Sequence, residues 1–502
     1  MRPIRTFFVF LTFLVLTAPL VAEIPNQIIR VNSTVQPHNF VRPWSKKSPT
    51  TRKGIGTILE NNRILISAEM IADHSYLELE KPGTGEKSPA RVLSVDYSAN
   101  LALLTPEDPA FLADFTPMPL ADNIKIGDVL SAWQLESTGT LLQTDALLTA
   151  VQVAPYPQGD ISMLVFLLTS ALQSRDASFT IPLIKEDHLA GIAMRYDSRT
   201  QNMIAIPIDV IKKFLSLASQ PDYSGFARIG ISFASTRDPQ FRHFIQLNGE
   251  YDGIYITKIL KNLPADRAGI QEGDILLSLK GFQIDADGNY EDSQYDKLHI
   301  VNLLTVHCSP GETIEATILR QGETLKLPIT LDSHSPADSV SPPYLIDTPP
   351  TFMIVGGMIF QELSQQYLKE WGANWASDAD QKLVYYDRYQ DELFPDNDRK
   401  IVFLSQLIPT PATIGYPPMS QLVVTKVNNQ TIHSLQDLHK ALQSPVSGFH
   451  QFEFEDDPKI LFLDPQEVES TNKALQEVYG VPLLKRLTPD ASAPSTPPTA
   501  TE

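Results

Sequence analysis

The stretch GIYITKILKNLPADRAGIQEGDILLSLKGFQI, residues 253–284, constrains the fold more than any other part of the chain. A β-type run leads into a short helical turn around Ala265 and Ala268, and Gly269 is placed to cap it in the left-handed conformation. Gly273 and Asp274 then turn the chain into a second run, ILLSL. Strand, helical turn, strand and a further glycine follow one another too closely for a long crossover, so this part of the chain is read as a small α+β domain.

The 502 residues provide for about three domains at roughly 150 residues each. From about 54 to 215 short β-type runs recur at close spacing, among them GIGTILE, RILISAE, ARVLSVD, LALLTP, MLVFLLT and LAGIAMRY. Many short strands in succession predict a sandwich or barrel, and IPIDVIKKFLSLA closes the block with helical periodicity. Residues 23–50 are polar and without clear period and read as a lead-in. Residues 333–350 carry five prolines and read as a stiff linker with an ordered middle. A third block, 351–486, contains the acidic, tyrosine-rich insertion 375–400, and the tail 487–502 has little apolar surface to bury and is expected to be disordered.

At the other end, Arg2 and Arg5 precede an apolar run over 7–22, short for a membrane span and suited to a signal peptide cleaved after Ala22. The expectation is therefore an exported, periplasmic or secreted protein. A formal net charge of −19 argues against nonspecific nucleic-acid binding, which needs a positive face to meet phosphates. The one cysteine, Cys308, has no partner for an intramolecular disulfide and reads as a small apolar filler. No CxxC or HExxH pattern is present, so no metal and no cofactor is expected.

Five stretches, in order, resemble segments of trypsin-like serine proteases of the HtrA/Do (Deg) type: GIGTILENNRILISAEMI, VDYSANLALL, IKIGDVLSAW, SFTIPLI, and LAGIAMRY with MIAIPIDVIKKF. The resemblance implies a mainly β fold, a double β-barrel at 51–218, and a serine–histidine–aspartate triad. The position that is histidine in the family holds Glu69, and the aspartate position holds Asn100. The serine falls at Phe179 counted back from Pro182, or at Ser178 with one residue inserted. A carboxylate is a poor base for a serine hydroxyl, and asparagine does not stabilise an imidazolium. The glycine turn that shapes the oxyanion hole is replaced by Arg175, Asp176 and Ala177. His74 and His188 are the histidines weighed as substitutes, and neither lies at the original corner. No catalytic residue is expected, and the triad positions are vestigial.

Residues 223–332 and 351–486 resemble PDZ domains, the second a divergent form found after the first in plant-type Deg proteases. PDZ domains add an extended peptide to a sheet edge and hold its terminal carboxylate with the N–H groups of a short loop. The matching loop is ARIGISF, with Ile229, Gly230 and Ile231 as N–H donors, Arg228 adding charge, and Phe233, Leu298 and Val301 lining the side-chain pocket. The implied partners are peptide or protein C-termini, unfolded proteins, an active relative, and other copies of the chain, with Phe40 and Trp44 as candidates for such contacts. Three functions remain open at this point: a noncatalytic peptide-binding protein, a serine endopeptidase with a remodelled site around Ser178, and a PDZ-based envelope scaffold.

Overall fold

The computed structural model describes residues 24–136, 140–158, 161–172, 180–221, 223–247, 251–333, 335–478 and 480–488. The expected signal peptide, the turn 175–177 with Ser178 and Phe179, and the tail from 489 lie outside the described residues.

Twelve strands form two closed barrels. The first contains β1 (Ile28–Val35), β2 (Thr50–Leu59), β3 (Arg63–Ile66), β4 (His74–Glu80), β5 (Lys87–Asp96) and β6 (Leu101–Pro106), paired in the order β1-β2-β3-β6-β5-β4. The second contains β7 (Val129–Leu135), β8 (Leu141–Pro155), β9 (Ser162–Ser170), β10 (Ile181–Lys185), β11 (His188–Asp197) and β12 (Asn202–Pro207), in the order β10-β11-β12-β9-β8-β7. Local chemistry sets the hairpins. Glu186 and Asp187 both adopt positive φ, 49° and 64°, in the two-residue turn between β10 and β11, the geometry that matches strand twist. A Cβ on Gly56 would stand 2.3 Å from Ile64 Cγ2, so β2 and β3 approach closely only because that position lacks a side chain.

The lead-in 23–50 is not a lead-in. Its residues 28–35 are β1, which pairs with both β2 and β4 and so closes the first barrel. Ile29 and Val31 are fully buried, and even Ser33 is 0% exposed, which is why the polar letters NST concealed a strand.

Helix α1 (Ile208–Ala218) follows β12 and buries Ile208, Val210, Ile211, Phe214, Leu215 and Leu217. These residues belong to one apolar cluster that runs from both barrels through Phe166 and Phe214 into Leu276, Leu303 and Ile318 of the next domain. That domain has a sheet in the order Ile231–Ala234, Ile254–Ile259, Ile275–Leu279, Thr313–Arg320, Glu323–Thr330, with a helix, Ile300–His307, packed against α1 and β9. The third block has its own clusters and an eight-stranded sheet. The insertion folds into three short helices, Trp375–Asp378, Gln381–Arg388 and Gln390–Leu393.

The proline-rich segment, expected to be a stiff linker with an ordered middle, is packed along much of its length. Val340 and Ser341 are buried, Tyr344 and Ile346 pack on the first barrel's core, and Pro349 and Pro350 are buried too. Phe40 and Trp44 also serve the chain itself: Phe40 is 3% exposed within a third-block cluster, and Trp44 packs against Phe352.

Because β1 is integral to the barrel, Ile29→Ala is expected to destabilise the first barrel by about 2–5 kcal/mol. Urea unfolding monitored by hydrogen exchange in β2 and β4 measures it, and a loss below about 0.5 kcal/mol would mean that β1 is an ornament on a barrel closed without it.

Candidate functional site

Two places in the fold carry the expected site residues. The first is the corner between the barrels. Strand β3 ends at Ile66, Ser67 stands before a single 3-10 turn, Ala68–Met70, and Glu69 sits half-buried in that turn. Asn100 closes the turn before β6, 2% exposed and with φ of 54°. The structure brings these two residues together. Asn100 Oδ1 accepts from the Ser67 hydroxyl and from the Glu69 N–H, both at 2.9 Å, and the Asn100 carbonyl accepts from Ala68 N–H at 3.1 Å. Its Nδ2 has no partner among the described residues. Arg52 donates to the Glu69 carbonyl. A Cβ on Gly54 would lie 2.8 Å from Thr180 Cγ2 and 3.0 Å from Met70 Sδ, so the first glycine of GIG admits the second barrel at this corner.

Neither substitute histidine reaches it. His74 begins β4 and places Nδ1 2.9 Å from the Ile71 carbonyl and 4.0 Å from Asp347. His188 is exposed at the end of the two-residue turn, its Nδ1 2.6 Å from the Glu186 carbonyl. The corner therefore holds an asparagine spent on structural bonds and a glutamate whose backbone is fixed from two sides. Among the described residues no group of three or more His, Cys, Asp or Glu side chains is gathered to hold a metal ion.

The second place is the edge of the middle domain. Ala227–Arg228 turns away to pair with Asp332–Ser333, which leaves Ile231–Ala234 as the last strand of its sheet. Between them the Ile229 carbonyl accepts from Ala265 N–H at 2.9 Å and the Gly230 carbonyl from Leu260 N–H at 3.0 Å. The loop is thus anchored by its acceptors. Gly230 has φ of +83°, and a Cβ there would meet Leu263 Cβ at 2.6 Å, so both conformation and space demand glycine.

Across the open edge, Phe233 is partly exposed and stacks on His299, centroids 5.5 Å apart. His299 was not foreseen; its signal was its place immediately before the helix. Its Nδ1 accepts from the Val301 N–H at 3.3 Å, and burial holds the imidazole below its ordinary range. Val301 is half-buried on this side. Leu298 is a correction: it lies in a hairpin strand, Asp296–His299, pairs with Tyr290 and is 2% exposed in the core. Ile229 is likewise 5% exposed and packs inward, leaving only its backbone for a ligand.

Arg228 lines a cleft of about 390 Å³ between the two α+β domains, with Lys261, Leu263, Gln390, Asp391 and Asn397 on its walls. Burial lowers the Arg228 guanidinium, while Asp391 and Asp332 act in the opposite sense. Lys258, paired in register with Ser232, reaches Glu392 at 2.8 Å and Asp391 at 3.8 Å, so the acidic insertion is seated beside the carboxylate loop.

The third block shows the contrast. Its loop, Gly356-Gly357, closes a hairpin in which Phe352–Val355 pairs antiparallel with Met358–Glu362, and Lys485–Arg486 covers the far side. The edge that is open in the middle domain is filled here by the chain itself.

Residues 227–331 match a family model described as PDZ domain, and residues 341–485 match a second model with the same description. The putative protease Do-like 13 of Arabidopsis thaliana is 24% identical over 461 residues, covering 91% of this chain and 88% of that protein. The mitochondrial protease Do-like 4 of the same plant is 22% identical, covering 91% and 84%. Among solved structures, the HtrA-type protease AlgW with decapeptide is similar with a TM-score of 0.47 and 16% identity, over 62% of this chain and 96% of that one. A serine endoprotease from Yersinia pestis is similar with a TM-score of 0.42 and 19% identity, over 62% and 95%.

Asn100→Ala removes the acceptor of one buried donor, the Ser67 hydroxyl, and one part-buried donor, the Glu69 N–H. The expected loss is about 1–3 kcal/mol for each donor left without a partner, read as a lower thermal midpoint. A variant as stable as the parent would show that the corner relaxes freely around an empty position 100.

Proposed function

We propose, from the premise that this chain belongs to the HtrA/Do-type protease family and carries two PDZ domains, that it is a noncatalytic member which captures the C-termini of peptides or unfolded proteins in its first PDZ domain. The observation that carries this reading is the pairing of an open strand edge, Ile231–Ala234, with a loop that only glycine can form, beside a triad corner built of Glu69 and Asn100. An incoming strand adds to that edge by backbone hydrogen bonds. Its carboxylate meets the N–H groups of Ile229, Gly230 and Ile231, and its side chains meet Phe233 and Val301. The second PDZ domain, its own edge filled, is an assembly and regulatory element. The protein acts after export, in envelope quality control or as the regulator of an active relative, and works as a homo-oligomer.

At the corner the argument is chemical. A serine hydroxyl needs a neighbouring base and an oriented partner for it. Asn100 has given its acceptor to Ser67 and Glu69, and both histidines in reach of the first barrel's rim or the β10–β11 turn are bonded elsewhere.

Two measurements test the proposal. The purified chain is expected neither to degrade casein nor to react with a fluorophosphonate probe; cleavage abolished by Ser178→Ala would overturn the noncatalytic reading. In fluorescence anisotropy, peptides ending in an apolar residue with a free carboxylate are expected to bind. Amidation of the terminus or Gly230→Ala is expected to weaken binding at least about tenfold, since a lost charge-assisted contact of about 1.4 kcal/mol has that effect. Equal binding of amidated and free peptides would remove the carboxylate loop from the mechanism.

The pH dependence has a fixed sign. Burial lowers His299, so the folded domain favours the neutral ring and takes up fewer protons than the unfolded chain below the ordinary imidazole range. Stability of the first PDZ domain is expected to hold steady above about pH 7 and to fall as the pH drops below the unfolded histidine's pKa of roughly 6.5. His299→Gln, followed by thermal unfolding from pH 8 to 5, should flatten that fall.

A further inference from the structure

The segment between the PDZ domains is pinned at two separate places. At one end Val340 is buried among Tyr367, Leu383 and Phe403 of the second PDZ domain. There Ser341 Oγ donates to Asp387 Oδ1 at 2.7 Å, and the Ser341 N–H donates to Gln390 Oε1 at 2.9 Å. At the other end the segment lies on the first barrel. Tyr344 OH meets Ser98 Oγ at 3.0 Å, its ring stands edge-on to Tyr97 at 6.2 Å, and Ile346 packs on the barrel's core.

Asp347 completes the contact. Its N–H donates to Asp73 Oδ1 at 3.0 Å, its Oδ1 accepts from the Asp73 N–H at 2.7 Å, and its Oδ2 accepts from the Tyr97 hydroxyl. Both aspartates hold positive φ, 58° and 57°, so each turn is shaped for the other. The loops gripped in this way are the two that carry the corner: Asp73 and His74 follow Glu69, and Tyr97 and Ser98 precede Asn100.

We propose that residues 340–347 are a clasp through which the second PDZ domain's position is transmitted to the loops bearing Glu69 and Asn100. While the clasp is closed, the two loops are held as one body with the second PDZ domain. When its PDZ anchor lets go, both loops loosen together.

Charged and polar groups from several elements face Asp73 at the clasp. Burial raises the Asp73 carboxyl; Asp347 from the segment adds to that, and the Asp347 N–H, Arg52 from β2 and Lys46 from the arm before β2 oppose it. His74 from β4 faces Asp347 at 4.0 Å, and Tyr97 from the turn after β5 donates to it.

Hydrogen exchange on the full chain tests the clasp. Tyr344→Phe and Asp347→Asn are expected to speed exchange at 70–75 and 97–100 about tenfold, with β8 and β9 unchanged as the measure of an intact fold. The deciding variant is Asp387→Asn, which touches neither loop: it is expected to speed the same two loops. Loops that keep the parent's rate in Asp387→Asn overturn the transmission, and loops that keep it in Tyr344→Phe overturn the clasp. Should Asp387→Asn also speed β8 and β9, Ser341→Ala replaces it with the same criterion.

Discussion

One continuous apolar core governs what this molecule is able to do. It starts between the barrels, passes through α1 at Phe214, and ends behind the helix Ile300–His307 of the first PDZ domain. The helix that faces the open edge Ile231–Ala234 is thereby part of the same packed interior as β9 and α1. Interiors of this density do not deform continuously. Polar contacts follow the same seam: Tyr295 OH donates to Asp209 at 2.8 Å and Lys213 to Ser309 at 2.7 Å. Burial raises the Asp209 carboxyl there, with the Tyr295 hydrogen bond acting against it. An edge mounted on so firm a base is ordered in advance, which limits the ordering that the proposed peptide binding would have to impose.

The two PDZ domains solve the problem of a sheet edge in opposite ways. An unpaired edge is a template for any extended chain. In the first domain Ala227–Arg228 leaves the sheet and the edge stays open; in the second, Phe352–Val355 stays and closes it. The difference begins in a few residues of loop: Ile229-Gly230 sends the chain across to Asp332–Ser333, whereas Gly356-Gly357, both with positive φ, folds it straight back.

How much of this was readable beforehand depends on where the decisive contacts lie in sequence. Local signals give many short strands in the first block and a small α+β domain with its turn glycines in the second, whereas the double barrel, the PDZ reading and the triad positions Glu69 and Asn100 come from the resemblance to HtrA/Do proteases. Strand β1 escaped because half its letters are polar and its burial comes from partners in β2 and β4. Leu298 is expected from the sequence to line the side-chain pocket, yet its neighbours belong to a hairpin with Asn289–Asp292, and that pairing places the side chain in the core. The prolines of 333–350 were read for their stiffness, while Val340, Tyr344 and Ile346 between them meet surfaces far away in the chain. His299 stands immediately before the helix, but its stacking on Phe233 is a long-range contact. In each case the missing information was a long-range contact.

The self-filled edge of the second PDZ domain has a quantitative consequence. A strand tied to its groove by two residues is present there at an effective concentration of at least about millimolar. An outside peptide of equal intrinsic affinity would have to reach that concentration to hold the groove half the time. A strand competing for that edge would first have to pull Phe352–Val355 out of place.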